Sequence, residues 1–168
     1  MDFNYTDEQN ALRDTLTRFI AKDYGFEQRR ALAKSADGFS RDHWAQFAEL
    51  GLLALPFHED FGGMNGNAVD TMLVMEAFGR GLVLEPYLST VIVAGHLIRD
   101  AGSAAQKEAI LPAIAGGELM LALAHYEPGA RYEVSRVSTA AKADGSGWKL
   151  SGAKGVVLGG GAADKLLV

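Results

Sequence analysis

Apolar residues recur every three or four positions through roughly the first 117 residues. Capping and stop signals bracket each run, which predicts helices there. Thr6 is placed to cap the first, with Gln9 completing a capping box and Leu12, Leu16, Phe19 and Ile20 forming a buried stripe. That helix should end near Tyr24 or Gly25. A short second helix, about Glu27 to Ser35, leads to a turn at Asp37-Gly38, and Ser40 caps a third that carries Trp44, Phe47 and Leu50 and stops at Gly51. Pro56 and the glycines after it make the stretch from Leu52 to Gly66 a loop, of the kind that often carries function. Asn67 and Asp70 open a segment that runs to Gly79 and is apolar on nearly every face (Val69, Met72, Leu73, Val74, Met75, Ala77, Phe78), so that helix should be central. Leu82 to Leu88, with Pro86 in it, links to a helix from about Ser89 to Ala101; Gly102 ends it, and Ser103 with Gln106 caps the next.

After Gly116-Gly117 the pattern changes to short β-type runs: Leu119 to His125, Val134 to Ala143, Trp148 to Ser151, Gly155 to Leu158, and Leu166 to Val168. Asp144-Gly145-Ser146-Gly147 should join two of them as a hairpin. The predicted architecture is mainly α with a β segment: an all-α domain over residues 1–117, then the start of a β domain over 118–168.

Composition narrows the function classes. At 168 residues the chain is large enough for one full core, or one core and part of a second. A net charge of −5, with no block of like charges, argues against nucleic acid. The absence of cysteine removes disulfides, thiolate metal sites and thiol nucleophiles. The acidic N-terminus is unlike a signal or transit peptide, and no apolar run approaches a membrane span, so a cytoplasmic protein is expected.

Several short motifs carry more when taken in order. The chain opens on Phe3-Asn4-Tyr5-Thr6-Asp7-Glu8-Gln9, continues through Gly51-Leu52-Leu53-Ala54-Leu55-Pro56 with Phe61-Gly62-Gly63, and has Leu111-Pro112 with Gly116-Gly117-Glu118. The apolar run Leu119 to Ala124 then reaches Tyr126-Glu127-Pro128-Gly129-Ala130, and Trp148-Lys149-Leu150-Ser151-Gly152-Ala153-Lys154 follows. Each motif is weak alone; together they make the whole chain resemble an acyl-CoA dehydrogenase. The run from Phe78 through Arg80, Glu85 and Pro86 to Tyr87 is most similar to the small subunit of two-subunit bacterial enzymes of the pimeloyl-CoA dehydrogenase type.

The resemblance implies an N-terminal helical bundle followed by the start of a β-barrel-like domain. It also implies FAD as cofactor and an acyl-CoA thioester as substrate, in an oxidoreductase of fatty acid metabolism. Electrons would pass to an electron-transfer flavoprotein or similar acceptor, and the subunit would sit in a homo- or hetero-oligomer. In the family a glutamate removes the proton α to the thioester carbonyl while the β-hydrogen leaves as hydride to N5 of the flavin. The family's third part, a helical bundle, has no counterpart in these residues; the base is expected there, and no catalytic residue is assigned here.

At residue level the resemblance places main-chain groups around Leu123, His125 and Tyr126 along the isoalloxazine, where a strand end offers the donors and acceptors its pyrimidine ring needs. His125-Tyr126 stand where the family more often has a small residue followed by Thr. The family's Glu-Pro-x-x-Gly-Ser-Asp continues here as Arg131-Tyr132-Glu133, which loses the Ser hydroxyl. Arg131 offers a guanidinium to a phosphate, and Arg131 and Tyr132 are the substrate-side candidates. The family's Lys-x-Trp-Ile-Thr-Asn corresponds to Lys154-Gly155-Val156-Val157-Leu158-Gly159, so Val156, Val157 and Leu158 replace an aromatic cover and a hydroxyl near N5. Two functions follow from this: a dehydrogenase subunit, or a non-catalytic partner subunit with a degenerate flavin site that stabilises a catalytic subunit in a hetero-oligomer.

Other suggestive residues have plainer explanations. His43, His58, His96 and His125 lack metal-site spacing. Glu76 and Arg80 suit an i,i+4 pair. Met64, Met72, Met75 and Met120 read as core filler. Ser146 suits a β-turn, and Gly159-Gly160-Gly161 fits no phosphate motif and reads as a flexible hairpin tip.

Overall fold

The computed structural model describes residues 4–168; Met1, Asp2 and Phe3, the last being the first residue of the opening motif, lie outside the described residues. Thr6 caps α1 (Asp7–Asp23) reciprocally: Gln9 N donates to Thr6 Oγ1 at 3.2 Å, and Thr6 N donates to Gln9 Oε1 at 3.1 Å. Gln9 Nε2 also donates to Asp70 Oδ1 at 2.9 Å, while Asp70 Oδ2 accepts from Asn67 N at 2.7 Å and closes the capping box of α4 (Ala68–Gly81). One buried glutamine thus ties together the starts of two neighbouring helices.

Between them come α2 (Phe26–Leu32), shorter than its pattern suggests, and α3 (Arg41–Glu49), capped by Ser40. Trp44 and Phe47 are buried, whereas Leu50 is exposed, because α3 ends at Glu49 and the chain turns at Gly51 before Leu50 meets a partner. A ladder of rings then crosses the bundle: Phe19 meets Phe47 edge-on at 5.3 Å, Phe47 stacks on Phe78 at 4.8 Å, and Phe78 meets Tyr87 edge-on at 5.2 Å. Tyr87 OH donates to Leu52 O at 3.1 Å, which satisfies the one polar atom the ladder buries.

The expectation for α4 needs correction. Leu73, Val74 and Phe78 are buried, but Val69 and Met72 are exposed, so the helix is half covered rather than central. The methionines divide likewise: Met120 is core, Met75 packs against it, and Met64 and Met72 face outward. The Glu76–Arg80 pair forms as the spacing suggests, at 2.6 Å.

The segment expected as one α-helix from about Ser89 instead starts as a π-helix, Leu88–Gly95, and continues as α5 (His96–Ala101). The run Thr90-Val91-Ile92-Val93 disfavours the tighter α turn through β-branching. Gly95 is required where the helix passes Phe57, since a Cβ there would sit 2.7 Å from the ring. In the wider turn, residues five apart share a face, which puts Leu88 and Val93 together. The last helix is α6 (Ala104–Ala115), with Ser103 and Gln106 forming its capping box. Among the described residues no helix is long and apolar enough to cross a membrane.

The β part forms two two-stranded ladders. β1 (Leu121–Leu123) pairs in parallel with β4 (Lys165–Leu167), and β2 (Ala140–Asp144) pairs antiparallel with β3 (Gly147–Ser151) across the expected hairpin turn. Only the end of the Val134 to Ala143 run becomes a strand, because the amides of Ser138 and Thr139 are taken by a side chain, Glu127. Gly155 to Leu158 forms no strand, since Val156 adopts a left-handed turn at φ 51°. Nor do the three glycines form a hairpin tip, because β4 lies parallel to β1. Gly159, at φ 72°, sits so close to Ser89 that a Cβ would fall 2.2 Å from its Oγ.

Candidate functional site

Strand β1 has two different edges. On one, Ala124 N donates to Leu167 O at 2.8 Å and Met120 O accepts from Asp164 N at 2.9 Å, so the even-numbered residues address β4. Alternation then turns the main-chain groups of Leu121 and Leu123 to the other edge. There Thr90, fully buried in the π-helix, takes both groups of Leu121: its Oγ1 donates to Leu121 O at 3.0 Å and accepts from Leu121 N at 3.2 Å. Beyond Thr90 that edge carries no strand among the described residues, and Leu123 faces a cavity of about 200 Å³.

This cavity collects most of the residues that the motifs single out. Leu123, His125 and Tyr126 form one wall, Val156 and Leu158 a second, and Leu88, Ser89 and Val93 of the π-helix a third. The His125 and Tyr126 rings meet edge-on at 5.3 Å. Val157 is not among the lining residues. Arg131 and Tyr132 are not brought to the cavity either: they lie in the turns that follow Pro128, with Tyr132 99% exposed. The Tyr132 ring therefore does not plug the strand edge. A second hollow of about 450 Å³ adjoins the first through Leu88, Ser89 and Leu158 and is floored by Gly159, Gly161 and Ala162. The larger hollow between α1 and α4, about 530 Å³, holds none of the expected site residues.

Behind the first two walls lies a buried ion pair. Glu127 Oε1 accepts from Lys154 Nζ and from Thr139 N, each at 2.9 Å, and Oε2 accepts from Ser138 N at 2.6 Å. Lys154 Nζ also donates to His125 O at 3.3 Å, and Gly155 N donates to Tyr126 O at 2.9 Å. The Lys154 ammonium holds the Glu127 carboxyl far below its ordinary value of 4.5. The neighbouring Thr139 hydroxyl, too poorly aligned for a true hydrogen bond, and the Thr139 and Ser138 amides act in the same direction. A depressed folded-state value means that this carboxylate contributes stability that is fully present above the ordinary value and is lost progressively as the pH falls from there through the lowered value. Following the Glu127 carboxyl carbon by NMR should therefore show no inflection between about pH 7 and pH 4. A midpoint near the ordinary value would mean that the pair is open in solution.

Sequence reasoning missed a second polar cluster. Glu85, its side chain wholly buried, accepts from Tyr24 OH and from Ser40 N at 3.1 Å. His43 Nδ1 lies 3.4 Å from Glu85 Oε1, close enough for an ion pair but too poorly directed for a hydrogen bond. Burial, and then the bond to Glu85, push the Tyr24 phenol well above its ordinary value, so it stays a donor. The available signal was a lone Glu before Pro86 in an otherwise apolar run, which reads equally well as a solvated turn.

Helices in this order, leading into a short strand beside an apolar cavity, make the N-terminal part of the acyl-CoA dehydrogenase fold. A family model described as acyl-CoA dehydrogenase, N-terminal domain, matches residues 6–118. The chain belongs to the acyl-CoA dehydrogenase family, whose chemistry is flavin-dependent dehydrogenation. It is 32% identical over 169 residues to acyl-CoA dehydrogenase FadE12 of Mycobacterium tuberculosis, covering 99% of this chain and 42% of that protein. Against the ChsE4-ChsE5 complex from Mycobacterium tuberculosis the TM-score is 0.78 at 30% identity, covering 92% of this chain and 39% of the other. Against the FAD complex of PigA the TM-score is 0.84 at 26% identity, covering 99% and 44%. The chain thus spans about two fifths of the length of the relatives it matches.

Proposed function

We propose that this chain is part of a flavin-dependent acyl-CoA dehydrogenase subunit of the cytoplasm, converting an acyl-CoA thioester to the 2,3-enoyl-CoA. In this reading the helical domain, residues 1–117, and the start of the β domain, residues 118–168, share the cavity beside β1, which takes the isoalloxazine ring of FAD. The observation that carries this is the meeting of Leu123, His125, Tyr126, Val156 and Leu158 around one apolar space along the open edge of β1. The residues fit a planar ring with a polar rim: flat apolar walls for its faces and main-chain groups of Leu123 for its edge. Among the described residues no Lys or Arg lines the space, so it suits the ring rather than the pyrophosphate.

When bound, the flavin supplies the hydride acceptor. Leu88 and Val93 exclude water from one side, and the His125 and Tyr126 rings border another. Among the described residues no carboxylate lines the cavity, and in this reading the group that takes the α-proton comes from another segment or another chain. The acceptor downstream would be an electron-transfer flavoprotein or similar protein.

A second reading is favoured by Val156 and Leu158, hydrocarbon side chains that donate no hydrogen bond to a ring beside them. It makes this chain a non-catalytic subunit that stabilises a catalytic partner in a hetero-oligomer. Purifying the full-length subunit alone, and then with the product of the neighbouring gene, separates the two. Yellow protein that turns over acyl-CoA by itself is the expected result for the first. Colourless protein that turns yellow only in the complex supports the second, and no flavin in either preparation removes both.

A further inference from the structure

Lys154 and Glu127 sit where the cavity's two β-side walls spring from the chain. His125 and Tyr126 immediately precede Glu127, Val156 immediately follows Lys154-Gly155, and Leu158 comes two residues later. No ladder joins these segments; the bonds from Lys154 Nζ to Glu127 and to His125 O, and from Gly155 N to Tyr126 O, do so instead. The pair is well sealed, with the Glu127 side chain 6% exposed and that of Lys154 13%.

Val156 shows why such a clasp is needed. It is β-branched, yet its φ is 51°, a conformation that a residue of this kind adopts only when its surroundings impose it. The residue is 80% exposed, so packing of its own side chain does not impose it. The constraint comes from the residues before it, where Gly155 N is tied to Tyr126 O and Lys154 to Glu127 and His125 O.

We propose that Lys154 and Glu127 are positioning residues: their ion pair, shared with the His125 carbonyl, clasps the two β-side walls of the cavity at a fixed separation and holds the left-handed turn at Val156. For the nature of the ligand this rests on the flavin reading above; the clasp itself does not. Lys154 reaches two acceptors on different residues of the opposite wall at once. Methionine at this position would keep much of the stem and lose both bonds.

The test uses the full chain and the variants K154M, E127Q and K154R, with two measurements. Native-state amide exchange is expected to rise about tenfold or more at Thr139 and Gly155 in K154M and E127Q, while amides in the helices exchange as in the wild type. FAD titration is expected to show about tenfold weaker binding in the same two variants. K154R should return both readouts to within about threefold of wild type, because a guanidinium can span the same two acceptors. The proposal is overturned if K154M leaves Thr139 and Gly155 as protected as in the wild type, or if it binds FAD as tightly. It is equally overturned if K154R is as damaging as K154M, and should K154M lose the β segment outright, the K154R result decides. If the wild-type protein takes up no FAD, the flavin reading fails and the exchange data alone judge the clasp.

Discussion

Replacing Glu85 by alanine is expected to destabilise the protein by about 3–5 kcal/mol, read as a fall in the urea midpoint at unchanged slope. The carboxylate is fully buried and accepts from the Tyr24 hydroxyl and from the amide of Ser40, the residue that caps α3, with His43 beside it. Removing it strands the buried Tyr24 hydroxyl and the half-buried Ser40 amide and leaves a cavity, and both effects act in one direction. Glutamine should cost less, roughly 1–3 kcal/mol, because it keeps an acceptor oxygen but brings an NH₂ group among donors. Tyr24→Phe, alone and combined with Glu85→Ala, supplies a double-mutant cycle whose coupling term isolates the hydroxyl-to-carboxylate bond. A Glu85→Ala protein within about 1 kcal/mol of wild type would show that water reaches the cluster in solution. The change should also be felt at the cavity, since Glu85-Pro86-Tyr87 leads into the π-helix that supplies its third wall.

Thr90→Val should cost about 2–4 kcal/mol, although it exchanges groups of nearly equal size. The hydroxyl is both donor and acceptor to Leu121, so its loss orphans a buried N–H and a buried C=O together. Thr90→Ser, which keeps the hydroxyl, should recover most of the stability in the same urea titration. Thr90 is also what joins the π-helix to the open edge of β1, so the valine variant should weaken flavin binding more than Thr90→Ser does. Equal affinity in the two variants would detach the cavity from this junction.

Much of the helical part was legible because its signals are local. The caps at Thr6 with Gln9 and at Ser103 with Gln106 formed as the spacing indicates, and Asn67 opens α4 as expected, since a cap needs only residues three apart. The apolar stripe of α1, in which Leu16 is buried and Leu12, Phe19 and Ile20 are half-buried against the core, and the hairpin at Asp144 to Gly147 are equally short-range. Failures appear where the outcome depends on distant residues. The π-helix ends where Gly95 passes close to Phe57, some forty residues earlier in the chain. Val134 and Val137 look like a strand, yet the amides just beyond them are claimed by Glu127. Val156 and Val157 look like a strand as well, until Lys154 and Gly155 are tied to the opposite wall.

The candidate site divides the same way. Motif order pointed to Leu123, His125, Tyr126, Val156 and Leu158 while leaving open whether they meet; folding brings them around one space and leaves Val157, Arg131 and Tyr132 outside it. Helix starts, helix faces and family membership were written in the chain because each depends on residue types at short, regular intervals. The open edge of β1, the sealed Lys154–Glu127 pair and the burial of Glu85 depend on which distant groups satisfy one another away from water, and only the folded arrangement settles that competition.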